Sequence, residues 1–437
     1  MKESSLHTAL PSPGRPVVLV KSAVITWGEL WSSAHSLARY LPLASAVVNL
    51  CERREHFLTA FLALLIRGQT CLLPPSRAPA VIAEVLAEYP GSYSLDDTGL
   101  SAFRAKNAGA TVDWSEVSAD RVVVVGYTSG STGRPTANPK TWGSLVASAQ
   151  FNSAALRDVL TRQRAAGRPW ILATVPSQHM YGMETAVLLP LLGDMGIHAA
   201  HPLFPADIAA ALAELPEPRI LVTTPVHLRA LLESDIDLPP LAVVVSATAP
   251  LAPEMARRVE QRFGAALVEF FGSTETCVIA SRRTAHEAAW RPYPGVSLRP
   301  TATGTEVDAP WFAAPTLLQD VLEIGADGTF VVRGRNADMV EVGGKRASLA
   351  DLTRRLLAVP GVRDGIVFQP DRADGAAVQR LAALVVAEGV SEAEVLEQLS
   401  TGMDPVFLPR PLVFVSRLPR NEVGKLPREE LLAALGR

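Results

Sequence analysis

The sequence predicts an α/β protein: a large N-terminal domain with parallel-rich sheets flanked by helices, plus a small, mobile α+β C-terminal domain. Short aliphatic runs alternate with helical periodicities from Thr26 to Phe270, the pattern of strands joined by crossover helices. Beyond the turn-rich stretch Arg333-Gly334-Arg335-Asn336-Ala337-Asp338 the pattern becomes a smaller mixture of strands and helices. The 437 residues also exceed one ordinary core. The expected division is residues 1–334 and residues 335–437, with the second part pivoting on that turn.

Composition narrows the function classes. Apolar residues make up 48%, enough to bury large sheets, and the formal net charge of −3 provides no global positive field for nucleic acid. The three cysteines, Cys51, Cys71 and Cys277, include no C-x-x-C pair. That argues against a disulfide framework or structural zinc and fits a reducing cytoplasm. The apolar run 57–66 stops at Arg67, too short to span a bilayer, and the opening Met-Lys-Glu-Ser-Ser lacks the apolar core of a signal peptide. A cytoplasmic protein with no membrane partner and no nucleic-acid partner is expected.

In chain order, Thr26-Trp27-Gly28-Glu29 reads as a capping box, and Leu30, Ala34, Leu37 and Leu41 then fall on one helical face. Residues 46–50 read as a strand, 55–66 as a mostly buried helix and 70–73 as a further strand. His35 and His56 in these helices are given no role. Strands recur at 171–175, 220–223, 242–246 and 267–270, with helices at 206–215 and 253–263 between them. In the C-terminal part, helices are expected at 349–358 and 392–399, and strands at 365–368, 381–387 and 412–416.

The chain is organised around residues 122–140. The β-branched run 122–125 reads as a buried parallel strand, and Tyr127-Thr128-Ser129-Gly130-Ser131-Thr132-Gly133 reads as the loop after it. Glycines let backbone N–H groups approach an anion closely, and the hydroxyls add donors. The loop is therefore a phosphate cradle or else a flexible surface loop. No Gly-Lys-Ser/Thr follows as in a Walker loop, and no G-x-S-x-G nucleophile elbow is present. Lys140 either adds a positive charge near the loop or is a solvated surface lysine. A helix is expected from about Trp142.

The run Y-T-S-G-S-T-G resembles the phosphate loop of the adenylate-forming superfamily: acyl- and aryl-CoA synthetases, peptide-synthetase adenylation domains and luciferases. Six further matches to that family's motifs follow in the same order. Pro176-Ser177-Gln178-His179-Met180-Tyr181-Gly182 is similar to a P-x-x-H-x-x-G stretch lining the acyl pocket, which makes His179 a substrate-pocket candidate. Ser246-Ala247-Thr248-Ala249-Pro250-Leu251 is similar to S-G-G-A-P-L, whose backbone lies against adenine, with Ala247 and Thr248 replacing two glycines. Phe271-Gly272-Ser273-Thr274-Glu275 matches Y-G-x-T-E, with Phe271 in place of the tyrosine. By resemblance Thr274 contacts phosphate, Glu275 holds Mg²⁺ and Gly272 borders the substrate. Asp320 is similar to a ribose-binding aspartate, and Arg335, within a G-R-x-x-D junction, to a ribose or phosphate contact. Near the end, Pro419 to Arg428 matches P-x-x-x-x-G-K-x-x-R, making Lys425 the adenylation lysine. The lysine often found after the loop's proline is replaced by Thr136.

The resemblance implies ATP and Mg²⁺ as cofactors and a carboxylic acid as substrate. The loop Thr128, Ser129, Gly130, Ser131, Thr132 and Gly133, together with Ala249, Asp320 and Arg335, would hold the nucleotide. Residues 1–334 would form the adenylate-forming domain and 335–437 a lid carrying Lys425. The acid would become an acyl-AMP and then a thioester. The compact first domain and Pro139-Lys140-Thr141-Trp142-Gly143 resemble small ligases that load aryl acids onto an acyl carrier protein, with CoA as the alternative acceptor. A catalytically silent nucleotide-binding homologue is the rival class.

Overall fold

The helix Trp27–Tyr40 begins where the capping box puts it. The Glu29 N–H donates to Thr26 Oγ1 at 3.3 Å, and the Thr26 N–H donates to Glu29 Oε2 at 2.8 Å. Leu30, Ala34 and Leu37 lie on its buried face, as their spacing requires. In this computed structural model the described residues are 11–104, 117–129, 135–301, 304–335, 339–342, 345–370, 380–421, 424 and 426–436.

The chain divides into two compact units, Met1–Gly295 with Pro310–Ala313, and Val296–Ala309 with Ala314–Arg437. The first unit holds two sheets. The larger has nine strands, in the order 291–292, 277–282, 266–273, 243–246, 219–223, 170–173, 196–198, 16–20 and 23–26. The six from 266–273 to 16–20 run parallel, and the strands beyond each end of that run pair antiparallel. Leu172, Leu221, Val244 and Leu267 from these strands pack with Leu228, Leu231 and Val259 from the crossover helices, which is why the runs read as continuous aliphatic stretches.

The smaller sheet orders strands 93–95, 46–49, 70–73, 122–129 and 135–141, parallel up to the last, which is antiparallel. Here the structure departs from the sequence reading. The strand Val122–Ser129 runs through residues expected in the loop, because Pro135–Thr141 folds back to pair with it, Thr128 opposite Thr136 and Ser129 opposite Pro135. Tyr127 is buried and its hydroxyl donates to Glu88 Oε2 at 2.8 Å, so the aromatic belongs to the core. Gly130, Ser131, Thr132 and Gly133 lie outside the described residues.

The second unit carries the small sheets 297–301/304–308/316–318, 320–324/330–335, 339–342/345–348 and 362–368/382–387/412–414. Helices Leu349–Leu357 and Glu392–Gly402 contribute Leu352, Leu356, Val395 and Leu399 to a core shared with Val367, Ala383 and Leu412. The packing division falls at Val296, because strands from 297 onward belong with the C-terminal residues; of the expected turn 333–338, residues 333–335 end a strand and 336–338 lie outside the described residues.

Candidate active site

Parallel strands bring their carboxyl ends to one edge, and ligands of open α/β sheets bind outside that edge. Three of the motifs meet there, at Gly126 on the loop strand. A Cβ at that position would lie 2.9 Å from Thr274 Cγ2 and 3.0 Å from Met180 Sδ. A side chain at this position would have to push aside Thr274 and Met180, so the glycine lets the loop strand, the 176–182 stretch and the 272–276 turn pack closely.

The turn is tightly constrained. The ladder between Ala266–Ser273 and Cys277–Arg282 shifts register at Phe271/Gly272, and a Cβ on Gly272 would sit 2.1 Å from the Cys277 carbonyl oxygen. Ser273 N–H donates to Thr276 Oγ1 at 3.3 Å, and Thr276 Oγ1 donates to the Cys277 carbonyl at 2.8 Å. Cys277 adopts φ +61°, the left-handed region that non-glycine residues seldom visit. Thr274 and Glu275 stand half-buried on this turn.

Two buried ionisable residues brace it. Lys140 is neither solvated nor a free charge at the loop: its ammonium donates to the Glu275 carbonyl. Glu184 lies on a π-helical stretch, Met183–Leu188, and accepts from the Val278 N–H at 2.9 Å and from Ser148 Oγ and Asn152 Nδ2. Burial pushes the Glu184 carboxyl above the usual range, opposed by these hydrogen bonds and by the Lys140 charge.

His179 caps the short helix Met180–Gly182, its Nδ1 accepting from the Tyr181 N–H at 3.3 Å. A Cβ on Gly182 would meet the Pro176 carbonyl oxygen at 2.0 Å, which is the physical reason for a glycine at the end of P-x-x-H-x-x-G. Tyr181 is buried and its hydroxyl lies 3.2 Å from the Thr223 carbonyl and 3.1 Å from that of Val245, tying this stretch to two neighbouring strand ends.

After Val243–Ser246, Thr248 holds φ +77°. The backbone thus keeps a glycine-like conformation although the residue is β-branched, a strained state of the kind that persists at functional sites. Its side chain is exposed, and Ala249 beside it is half-buried. Thr248→Gly should relieve about 1–2 kcal/mol of left-handed strain and return part of it as glycine backbone entropy. A net gain of roughly 0.5–1 kcal/mol is expected in denaturant unfolding. Phe271 packs at 5.2 Å against Trp290, over which Arg282 lies at 4.2 Å, itself paired with buried Glu269 at 2.7 Å.

Sequence reasoning missed a buried polar cluster behind the 174–182 loop. Arg54 donates to Ser177 Oγ at 3.3 Å and to the Ala173 carbonyl at 3.1 Å. His201 Nε2 donates to the Thr174 carbonyl at 3.0 Å, and His227 Nδ1 lies 2.8 Å from Thr174 Oγ1. Burial, then the Arg54 charge, lowers the His201 pKa to about 4, so it stays neutral near pH 7. Lys140, Glu184, Arg54, His201 and His227 come from separate segments and share no local motif, so periodicity and spacing carried no signal of their meeting. Cys277 is buried, which pushes its thiol up to about 12, and it offers no thiolate nucleophile.

In the second unit, the ladder pairs Asp320 with Arg335 on adjacent strands. Asp320 is buried and its carbonyl accepts from Thr305 Oγ1 at 3.0 Å. Gly334, with φ +144°, has Ser348 Oγ where a Cβ would be, at 2.1 Å. Lys425 lies outside the described residues, but its neighbours are anchored. Arg420 pairs with Asp364 at 2.9 Å and donates to the Gly424 carbonyl at 3.0 Å. Arg428 Nη2 donates to the Gln369 carbonyl at 3.0 Å.

Among the described residues, no group of three or more His, Cys, Asp or Glu could hold a metal ion. One carboxylate beside hydroxyls, as at Glu275 and Thr274, instead suits Mg²⁺, which usually keeps waters and shares one or two carboxylates with nucleotide phosphates. No helix among the described residues is long and apolar enough to cross a membrane.

Residues 76–309 match the AMP-binding enzyme family and residues 354–425 the AMP-binding enzyme C-terminal domain. The chain is 27% identical over 355 residues to an indoleacetate–CoA ligase of Aromatoleum aromaticum, covering 72% of this chain and 68% of the relative. It is 30% identical over 307 residues to a 4-coumarate–CoA ligase of Cereibacter sphaeroides, covering 68% and 69%. The ATP-bound MatB from Rhodopseudomonas palustris superposes with a TM-score of 0.78 at 23% identity over 97% of this chain and 96% of that one, a likeness of fold. A parallel-sheet domain with nucleotide motifs at its carboxyl edge, followed by a small α+β domain, is the architecture of an adenylate-forming protein. The chain belongs to the AMP-binding enzyme family. It is an ATP-dependent, AMP-forming acid–thiol ligase.

Proposed function

We propose that the chain converts an aryl acid to its acyl-AMP and then passes the acyl group to the phosphopantetheine thiol of an acyl carrier protein. CoA is the alternative acceptor. The observation that carries the reading is the convergence on Gly126 of the loop strand, the His179 stretch and the Thr274–Glu275 turn. The aromatic acids in the names of the two ligase relatives support the aryl substrate.

A carboxylate is a poor electrophile because its leaving oxygen is strongly basic. Attack of that oxygen on the α-phosphorus of ATP forms the mixed anhydride and expels pyrophosphate. Catalysis then rests on positioning and charge stabilisation. Thr128, Ser129 and the loop 130–133 cradle the phosphates, and Thr274 hydrogen-bonds one of them. Glu275 holds Mg²⁺, which neutralises phosphate charge when bound. Ala249 lies against adenine, Asp320 and Arg335 take the ribose, and His179 and Gly272 border the acid. Lys425 bridges the carboxylate and α-phosphate as charge redistributes. For the second step Lys425 withdraws: residues 335–437 rotate as a lid about Gly334–Arg335, and the thiol attacks the acyl carbon, releasing AMP.

A pyrophosphate-release screen across carboxylic acids tests the first step, and aryl acids are expected to give the highest rates. With the best acid, a mass gain on a phosphopantetheinylated carrier protein is then compared with CoA turnover. CoA turnover without carrier loading overturns the acceptor assigned here. Absence of release with every acid supports the silent-homologue reading, which the replacement of two glycines by Ala247 and Thr248 motivates.

A further inference from the structure

Lys140 and Glu184 are ionisable and buried, at 6% and 2% exposure, yet the reaction described above uses neither. Taking an ammonium out of water costs several kcal/mol unless it is well partnered. The acceptor that Lys140 reaches is the carbonyl of Glu275 itself. It does so from Pro135–Thr141, where it stands opposite Val124 of the loop strand.

Glu184 approaches the other end of the same turn. It accepts from the Val278 N–H and is itself held by Ser148 and by Asn152, whose Oδ1 accepts from the Tyr293 hydroxyl at 2.8 Å. The turn is thereby clamped between a cation on the Glu275 carbonyl and a carboxyl group on the Val278 N–H. Between those two points, the Thr276 hydrogen bonds and the left-handed Cys277 leave the backbone little freedom.

We propose that Lys140 is a positioning residue for the metal-binding carboxylate. Its ammonium fixes the Glu275 carbonyl, and with Glu184 at Val278 this sets the direction in which the Glu275 side chain meets the cation that arrives with ATP. The inference rests on the reading of Glu275 as the Mg²⁺ ligand.

The test is calorimetric titration of the full chain with ATP, across a Mg²⁺ series and in EDTA. Lys140→Met is expected to weaken Mg²⁺-dependent ATP binding about tenfold, as loss of an outer-shell partner does, while binding in EDTA is unchanged. Lys140→Arg, which keeps the charge, is expected to restore most of it. Equal loss with and without Mg²⁺, or no loss in Mg²⁺, overturns the inference. Glu275→Gln separates the two readings. If it leaves the Mg²⁺ dependence intact, the metal assignment fails and the inference with it. If it removes the dependence while Lys140→Met does not, the Lys140 inference alone fails. Should Lys140→Met not fold because Glu184 is left buried without a cation nearby, the K140M/E184Q double variant removes both ionisable groups and carries the same expectation.

Discussion

Lys425→Ala is expected to lower ATP–pyrophosphate exchange by about a hundred- to a thousandfold, the range lost when one preorganised charge stabiliser is removed from a transition state. Thioester formation from supplied acyl-AMP is expected to stay within about threefold of the parent, because in the proposed mechanism the lysine has withdrawn by then. The asymmetry follows from where charge develops. In the first step negative charge moves from the carboxylate to the α-phosphate and pyrophosphate, and a compact ammonium between them is worth most there. Among the described residues near it, Arg420 is held by Asp364 and donates to the Gly424 carbonyl, one residue before Lys425. Measuring the two half-reactions separately decides the matter, and equal loss in both would sink the two-state lid.

Gly272→Ala is expected to reduce acyl-AMP formation about a hundredfold, because displacing catalytic groups by about an ångström costs that much. Its Cβ would lie 2.1 Å from the Cys277 carbonyl oxygen and 2.7 Å from Val278 Cα, both backbone atoms of the paired strand. Backbone cannot move aside as a flexible side chain does, so the bulge must open, and Thr274 and Glu275 move with it. A stability loss of about 1–3 kcal/mol should accompany this. Gly68→Ala is the control: it puts a side chain at positive φ, +80°, which strains the backbone, but the side chain meets nothing within 4 Å. It should lower the melting temperature while leaving exchange unchanged when both proteins are assayed well below unfolding. Equal activity loss in the two variants would mean that Gly272 acts through general stability alone.

Much of the fold was legible because strands buried on both faces read as unbroken aliphatic runs and helices announce their starts. The capping box at Thr26, the run at 122–125 and the helix Pro253–Phe263 all lie where local chemistry put them. The length of the loop strand was not legible. Thr128 and Ser129 look like loop residues, and only pairing with Thr136 and Pro135 makes them strand. Antiparallel partners such as Pro135–Thr141, carrying two prolines and an asparagine, have no strand signature of their own.

The sequence by itself determined the order of the motifs and the chemical types in them, since hydroxyls, glycines, a carboxylate and a lysine are covalent facts read in one dimension. Only the tertiary structure decided which of these meet and what holds them. It took Lys140 out of solvent and set it on the Glu275 carbonyl, brought Glu184 to Val278, and kept a left-handed backbone at Thr248. Those outcomes depend on burial and on contacts between residues far apart in the chain, and no local pattern encodes either.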